Sequence, residues 1–370
     1  MSARLALVVG ASGITGGATV ERLLEDGWDV VGVSRRPTTR GAGARHVGVD
    51  VLDAEATAAA LGGLGATHVF FQTWSRQDTE AENIVVNSTM LRNVLDAVGP
   101  AGTVEHAALV TGLKHYLGPF EAYAQEPAKP PFRESQGRLP VANFYYDQED
   151  VLFAAAERYG FSWSVHRPHT VIGYATGNAM NMAVTLGVYA TLCRETGRPF
   201  VFPGSPEQYS STTDITDARL LARQLVWAAT DPAGADEAFN TTNGDTFVWS
   251  DMWGVVAAGL GVEPAPYPGH PDPLETRTDD APALWRVVAE REGLVEPDVD
   301  RLASWWHTDS DLGRQVETWA DMTKAREAGF ELQQDSSRSF LDVFDRLRAE
   351  RVLPPLPPQT STSPTEGDRA

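Results

Sequence analysis

Leu5 to Val9 is an unbroken apolar run closed by Gly10, the pattern of a parallel strand buried on both faces. Val20, Leu23 and Leu24 then recur at helical spacing until Gly27. Strand patterns follow over Trp28 to Ser34, His46 to Val51, Thr67 to Trp74, Val104 to Thr111 and Ser162 to Arg167. Helical patterns lie between them: an alanine-rich stretch from Asp53 to Leu64, a long one from Glu80 to Val98, and one that holds Glu149 to Tyr159. Alternation in this order predicts an α/β fold built on a Rossmann-type doubly wound parallel sheet.

After residue 170 the pattern loosens. Helices are expected over Ala183 to Glu195, Ala218 to Ala229 and Asp251 to Gly259, with short strands at Phe200 to Phe202, Phe239 to Thr242 and Phe247. Pro264 to Pro273 must be loop, and Trp285 to Gly293, Trp305 to Trp306 and Phe340 to Arg348 suggest a smaller, mostly helical C-terminal lobe. The expected division is a nucleotide-binding domain over 1–175, to which 205–245 return, and a substrate lobe over 176–204 and 246–353. Residues 354–370 lack apolar periodicity and read as a disordered tail. Trp249, Trp253, Trp285, Trp305 and Trp306 read as an apolar pocket wall or equally as core.

Composition narrows the classes. Hydrophobic residues at 42% and charged residues at 22% are globular values. A net charge of −20 argues against nucleic acid or an anionic membrane as partner. One cysteine, Cys193, rules out an intramolecular disulfide and points to a reducing compartment. No apolar stretch approaches the roughly 20 residues of a membrane span, and Met1 to Arg4 is unlike a signal peptide, so a cytoplasmic location is expected. The histidines show no metal-ligand spacing, and no metal is expected. A homodimer is compatible with the chain.

The first chemical signal is Gly10-Ala-Ser12-Gly13-Ile14-Thr15-Gly16, set between a strand and a helix. Gly10 permits a tight turn, Gly13 lets the backbone approach a pyrophosphate, and Gly16 allows the helix to pack on the sheet. A domain that binds NAD usually ends its second strand in an acid that holds the ribose 2′-hydroxyl. Here that strand ends Ser34-Arg35-Arg36, and two guanidiniums suit a 2′-phosphate, which implies NADPH. Asp50 and Val51 end the third expected strand, where an aspartate meets an adenine amino group or caps a helix.

This glycine loop resembles that of the extended short-chain dehydrogenase/reductase superfamily, whose members carry a Tyr-x-x-x-Lys pair on one helix. This chain departs from that, because Tyr145 is followed four places on by Glu149, Tyr146 by Asp150, Tyr123 by Pro127 and Tyr159 by Trp163. Two other strings stand out: Thr111-Gly-Leu-Lys114-His-Tyr-Leu-Gly-Pro-Phe120 beyond the fifth strand, and Asn143-Phe-Tyr145-Tyr146-Asp-Gln-Glu149-Asp150 opening the next helix. They resemble the progesterone 5β-reductase/iridoid synthase family of enone reductases. So do Ser34-Arg-Arg-Pro37, Asp50-Val-x-Asp53, Val69 to Trp74 and Asn87 to Asn93, in the same order, and the likeness covers roughly residues 5 to 180.

The resemblance implies reduction of an α,β-unsaturated ketone or aldehyde by NADPH, with Tyr145 and Lys114 as the catalytic pair. Without it, Tyr145 also reads as a packed aromatic at a helix start and Lys114 as a surface lysine. It further implies a pocket for a small apolar enone or enal lined by Trp74, Phe120, Tyr123 and Thr170. Thr73, Thr111 and Val171 are expected near the cofactor, together with Tyr145. Where plant members have Pro-Gly-Asn, this chain has Pro168-His169-Thr170, so a side chain near the substrate differs. Two alternatives stand beside this reading: a carbonyl reductase using the same tyrosine, and a non-catalytic NADP(H)-sensing regulator.

Overall fold

The computed structural model describes residues 4–36, 41–119, 129–177 and 180–356. The first half runs β1 (Leu5–Val9), α1 (Ile14–Glu25), β2 (Asp29–Val33), β3 (Arg45–Val47), α2 (Ala54–Leu61), β4 (His68–Phe71), α3 (Glu80–Val98), β5 (His106–Val110), α4 (Lys114–Leu117), α5 (Phe144–Tyr159) and β6 (Ser162–Pro168). Then follow β7 (Val171–Ile172), α6 (Met182–Thr196), α7 (Pro206–Ser210), β8 (Thr212–Thr213), β9 (Thr216–Asp217), α8 (Ala218–Thr230), β10 (Glu237–Thr241) and β11 (Phe247–Val248). The chain continues through α9 (Trp249–Leu260), α10 (Ala281–Glu292), α11 (Trp305–Leu312), α12 (Thr323–Glu327) and α13 (Ser336–Ala349).

Seven strands form one parallel sheet in the order β10-β6-β5-β4-β1-β2-β3. β1 has β2 on one side and β4 on the other, so the winding reverses there. In such sheets the crevice at the carboxyl ends of these strands is where ligands bind. The period of two divides β1 between two cores: Leu7 and Val9 pack with residues of α3 and α5, Ala6 and Val8 with residues of α1 and α8. A third core gathers α6, α9, α10 and α13 around Trp249, Trp253 and Trp285. These three tryptophans are therefore core.

Three expected strands differ most; the fourth, expected to run to Trp74, ends at Phe71 where its pairing with β1 and β5 stops. The third ends at Val47, because β3 is the sheet edge and its pairing stops at Val33↔Val47. Asp50 lies in the turn beyond, its Oδ1 accepting from Leu52 N–H at 3.1 Å, while Asp53 caps α2 by accepting from Ala56 N–H at 3.0 Å. Phe200 to Phe202 forms no strand. Phe200 makes one isolated bridge to Pro264 and stacks on Trp253 at 4.4 Å, so that apolar run reflects burial without pairing. Phe120, Tyr123 and all but the first three residues of the expected tail lie outside the described residues.

A polar seam crosses the sheet. The ring nitrogens of His106 lie 2.9 Å from the hydroxyls of Ser162 and Ser164, and those of His166 contact Ser164 at 3.0 Å and Gln224 at 2.9 Å. Burial, helped by the neighbouring His68 and His166, pushes His106 down to about 3. Burial, opposed by the hydrogen bond to Gln224, pushes His166 down to about 4. Both rings are thus neutral in the fold, while the unfolded chain takes up their protons near 6.5. Their contribution is fully present above that value and is lost as pH falls toward the folded values. Between pH 7 and pH 5, we predict that denaturant-derived stability falls by on the order of 1–2 kcal/mol per histidine. Replacing both (His106→Asn with His166→Gln) lowers stability at pH 7 but flattens this slope; an unchanged slope would show that other groups cause it.

Candidate active site

The crevice beside β1 and β4 is a groove in two parts that share Thr73 and Trp74. The outer part, about 130 Å³, meets Gly10, Ser12, Arg35, Asp50 and Val51. The inner part, about 240 Å³, meets Gly13, Ile14, Thr15, Thr111, Lys114, Tyr145, Thr170 and Val171. Most of the residues singled out in the sequence therefore lie along one continuous groove. Gly16 and Arg36 do not line it, and Phe120 and Tyr123 lie outside the described residues.

The glycine loop shapes the join. Gly10 takes φ of 92°, and a Cβ there would lie 3.0 Å from the Gln72 carbonyl oxygen. A Cβ on Gly16 would run into the Gly10 carbonyl, so Gly16 serves close packing of α1. α1 opens at Gly13 with no acidic residue in its own first turn, and the positive end of its dipole meets the groove. Gln72 lines the inner part, and its buried Nε2 has no hydrogen-bond partner among the described residues. These features fit a pyrophosphate-bearing cofactor. Arg35 lines the outer part just past β2 and Arg36 is exposed beside it, with the Ser34 hydroxyl donating to the Arg36 carbonyl at 2.6 Å.

Lys114 and Tyr145 come from different elements and are brought together by a clamp. Asn143 caps α5: its Oδ1 accepts from Tyr145 N–H at 3.1 Å, and its Nδ2 donates to the Lys114 carbonyl at 2.7 Å. The Tyr146 hydroxyl donates to the His115 carbonyl at 2.7 Å and accepts from Leu139 N–H at 3.0 Å. Glu80 Oε1 accepts from Phe144 N–H at 2.7 Å, tying the start of α3 to the same turn. Tyr146 is thus spent on the scaffold, while Tyr145 meets the cavity. A Cβ on Gly112 would lie 3.2 Å from the Tyr145 hydroxyl, so that hydroxyl sits against bare backbone.

The Lys114 ammonium lies 5.5 Å from the centre of the Trp74 ring and 5.3 Å from that of Phe144. Those two rings stack on each other at 5.6 Å, giving the cation an aromatic floor. Glu149, one helical turn beyond Tyr145, faces away from the cavity, 3.2 Å from Arg167 and 3.0 Å from Arg138. Burial would raise its carboxyl, but His115, Arg167 and Arg138 outweigh that and hold it below the usual range. The position where a lysine of the Tyr-x-x-x-Lys kind would stand is therefore part of a buried ion-pair network. Tyr116 is no alternative acid: burial pushes it up to about 12, and it donates to Asn240 at 2.6 Å.

The opposite wall is more polar than the tryptophan pattern suggested. Only Trp306 of the five tryptophans reaches the cavity, joined by His307, Asp311 and Arg314 from α11 and the turn after it. His169 also lines it, its Nδ1 hydrogen-bonded to Asp214, whose other oxygen accepts from Ala320 N–H at 2.8 Å. Thr111 spends its hydroxyl on the His166 carbonyl at 3.3 Å. No local pattern marks His307, Asp311 or Arg314 in the sequence, and Gln72 is marked only as part of the string from Val69 to Trp74; the fold brings them to one groove.

The sequence matches the family described as the PRISE-like Rossmann-fold domain over residues 6–354. It is 37% identical to an (S)-8-oxocitronellyl enol synthase of Camptotheca acuminata, over 95% of this chain and 93% of that protein. It is 38% identical to a 3-oxo-Delta(4,5)-steroid 5-beta-reductase of Arabidopsis thaliana, again over 95% and 93%. Solved structures share the fold at lower identity. A putative epimerase from Burkholderia cenocepacia superposes with a TM-score of 0.65 at 19% identity, covering 94% of this chain and 99% of that one. The Thermus thermophilus UDP-glucose 4-epimerase, in complex with NAD, gives 0.64 at 17%, covering 93% and 99%.

The clamp makes a direct prediction. Asn143→Ala removes a helix cap and a buried donor together and should cost about 1–3 kcal/mol in denaturant unfolding. Asn143→Ser, which keeps a cap acceptor and puts no oxygen against the Lys114 carbonyl, should cost less. A loss below about 0.3 kcal/mol for the alanine variant would mean that Asn143 does not hold the two segments.

Proposed function

Because the chain belongs to the PRISE-like Rossmann-fold family, we propose that it is an NADPH-dependent reductase of the carbon–carbon double bond in α,β-unsaturated ketones or aldehydes. One observation carries the reading: Lys114 from the start of α4, just beyond β5, and Tyr145 from the first turn of α5 meet a single cavity beside the glycine loop. Relatives named as enol synthases and a steroid reductase support enone chemistry, and structural neighbours solved with NAD support a nicotinamide cofactor. The phosphate end of that cofactor would lie on Gly10, Ser12, Gly13, Ile14 and Thr15. Asp50 and Val51 would face the adenine, with Arg35 and Arg36 at a ribose 2′-phosphate. Thr73, Thr111 and Val171 would flank the ring end.

When bound, NADPH supplies the hydride that adds to the β-carbon of the enone. Negative charge then grows on the carbonyl oxygen of the substrate. Tyr145 donates a hydrogen bond there, and the Lys114 ammonium adds positive potential. Trp74 and Phe144 form an aromatic floor beside the ammonium, where the faces of the rings favour a cation. Water supplies the proton that the α-carbon finally takes. Trp74 and Thr170 line the space for a small enone or enal, and Phe120 and Tyr123 are proposed to complete it. A cytoplasmic setting belongs to the same proposal and is supported by the single cysteine, Cys193, whose thiol burial pushes up to about 11.

Two variants test the assignments. Tyr145→Phe should bind NADPH within a few-fold of the parent and turn over an enone at least about tenfold more slowly; normal turnover would remove Tyr145 from the mechanism. The pair Arg35→Ala with Arg36→Ala should weaken NADPH at least about tenfold more than NADH. Equal losses for the two cofactors would show that these arginines do not read the 2′-phosphate.

A further inference from the structure

β2 ends at Val33, and the paired arginines lie just beyond it: Arg35 lines the outer part of the groove and Arg36 is exposed beside it. The ladder bond at this end runs from Ser34 N–H to the Val47 carbonyl at 3.3 Å. β3, which accepts it, is a three-residue edge strand, so the sheet itself gives the arginine turn little support. Two guanidiniums that read one phosphate need more, because each long side chain already loses rotamer freedom when it binds.

A side-chain relay that begins on β3 supplies the restraint. His46 pairs in the ladder with Gly32, which has no side chain, so its ring can lie along β2 and reach Ser34 on the same face. Its Nε2 lies 3.1 Å from the Ser34 carbonyl oxygen and 3.2 Å from the Ser34 hydroxyl. That hydroxyl donates to the Arg36 carbonyl at 2.6 Å, so toward the ring it can only accept, as the Ser34 carbonyl must. The network therefore assigns a proton to Nε2, shared between the two oxygens. His46 holds Ser34 by both of its oxygens, and Ser34 holds Arg36. Ser34 and Arg35 line the outer groove, whereas His46 stands behind them.

We infer that His46 is a specificity-determining residue: through Ser34 it positions the Arg35–Arg36 turn for the 2′-phosphate of NADPH. The inference rests on the NADPH reading above and adds to it a residue from a different strand. His46 is a positioning residue, since its ring acts through Ser34. The two roles a histidine could have here differ in outcome. One that served only the sheet edge would, when lost, weaken both cofactors alike. One that sets the arginines weakens only the cofactor that carries the phosphate.

The test is calorimetric titration with NADPH and with NADH, which needs no substrate, on variants whose folding is verified by thermal unfolding. His46→Leu should weaken NADPH by at least about fivefold, the scale of one lost hydrogen bond, and leave NADH within about twofold. His46→Gln, whose Nε2 can reach the same two oxygens, should keep both cofactors within about twofold of the parent. Ser34→Ala, which cuts the link to Arg36, should lower the preference for NADPH as His46→Leu does. In a chain already carrying Arg35→Ala and Arg36→Ala, adding His46→Leu should change NADPH affinity by less than about twofold, because the groups it positions are gone. Equal losses of NADPH and NADH in His46→Leu, or an unchanged preference in that variant or in Ser34→Ala, would overturn the inference. So would failure of the glutamine variant to retain NADPH, or a full His46→Leu effect without the arginines. These outcomes, in a parent that prefers NADPH, sink this inference alone. A parent that binds the two cofactors equally, or prefers NADH, removes the NADPH reading and the inference with it.

Discussion

The side chain of Asn143 connects two backbones. Its oxygen fixes the first turn of α5 by taking the Tyr145 N–H, and its nitrogen holds the carbonyl of Lys114. The hydroxyl of Tyr146 repeats the connection one residue further along, at the His115 carbonyl. In a scaffold where tyrosine and lysine share a helix, the helix itself sets their separation. Here the lysine stands in a short turn after β5, so its position depends on these hydrogen bonds. The buried Glu149, with Arg138 and Arg167, anchors the next turn of α5 and occupies the place where a helical lysine would otherwise stand.

The electrostatics follow from the same arrangement. A chain with a net charge of −20 keeps one ammonium over two stacked aromatic rings at the base of a groove. In the proposed reaction that charge would face an oxygen that becomes negative only as the hydride arrives. On the far wall, charge is cancelled within the Arg314–Asp311 pair, leaving directional donors without a strong field. The cavity thus has an electrostatic end and a hydrogen-bonding end.

Much of this was legible in the sequence where it is local. Leu5–Val9 and Glu80–Val98 have the bounds that their periodicity predicts, because burial on both faces and a complete capping box mark them. The glycine loop, the paired arginines and the two strings around Lys114 and Tyr145 are also contiguous. The third strand was overextended because alternation continues past Val47 although no partner strand does. Phe200 to Phe202 mimics a strand because aromatic burial and sheet pairing favour the same residues. Arg314, Asp311 and His307 were not legible, since their meaning comes from Thr170, far away in the chain. The tryptophans divided between core and cavity for the same reason.

In the proposed reaction, hydride reaches the β-carbon of an enone while Tyr145 and Lys114 hold its oxygen. The direct measurement is turnover of 2-cyclohexen-1-one with NADPH deuterated at the transferable position, with products identified by mass and NMR. The expected product is cyclohexanone carrying deuterium at the carbon β to the carbonyl. Deuterium on the carbinol carbon of an allylic alcohol would contradict it and make the protein a carbonyl reductase.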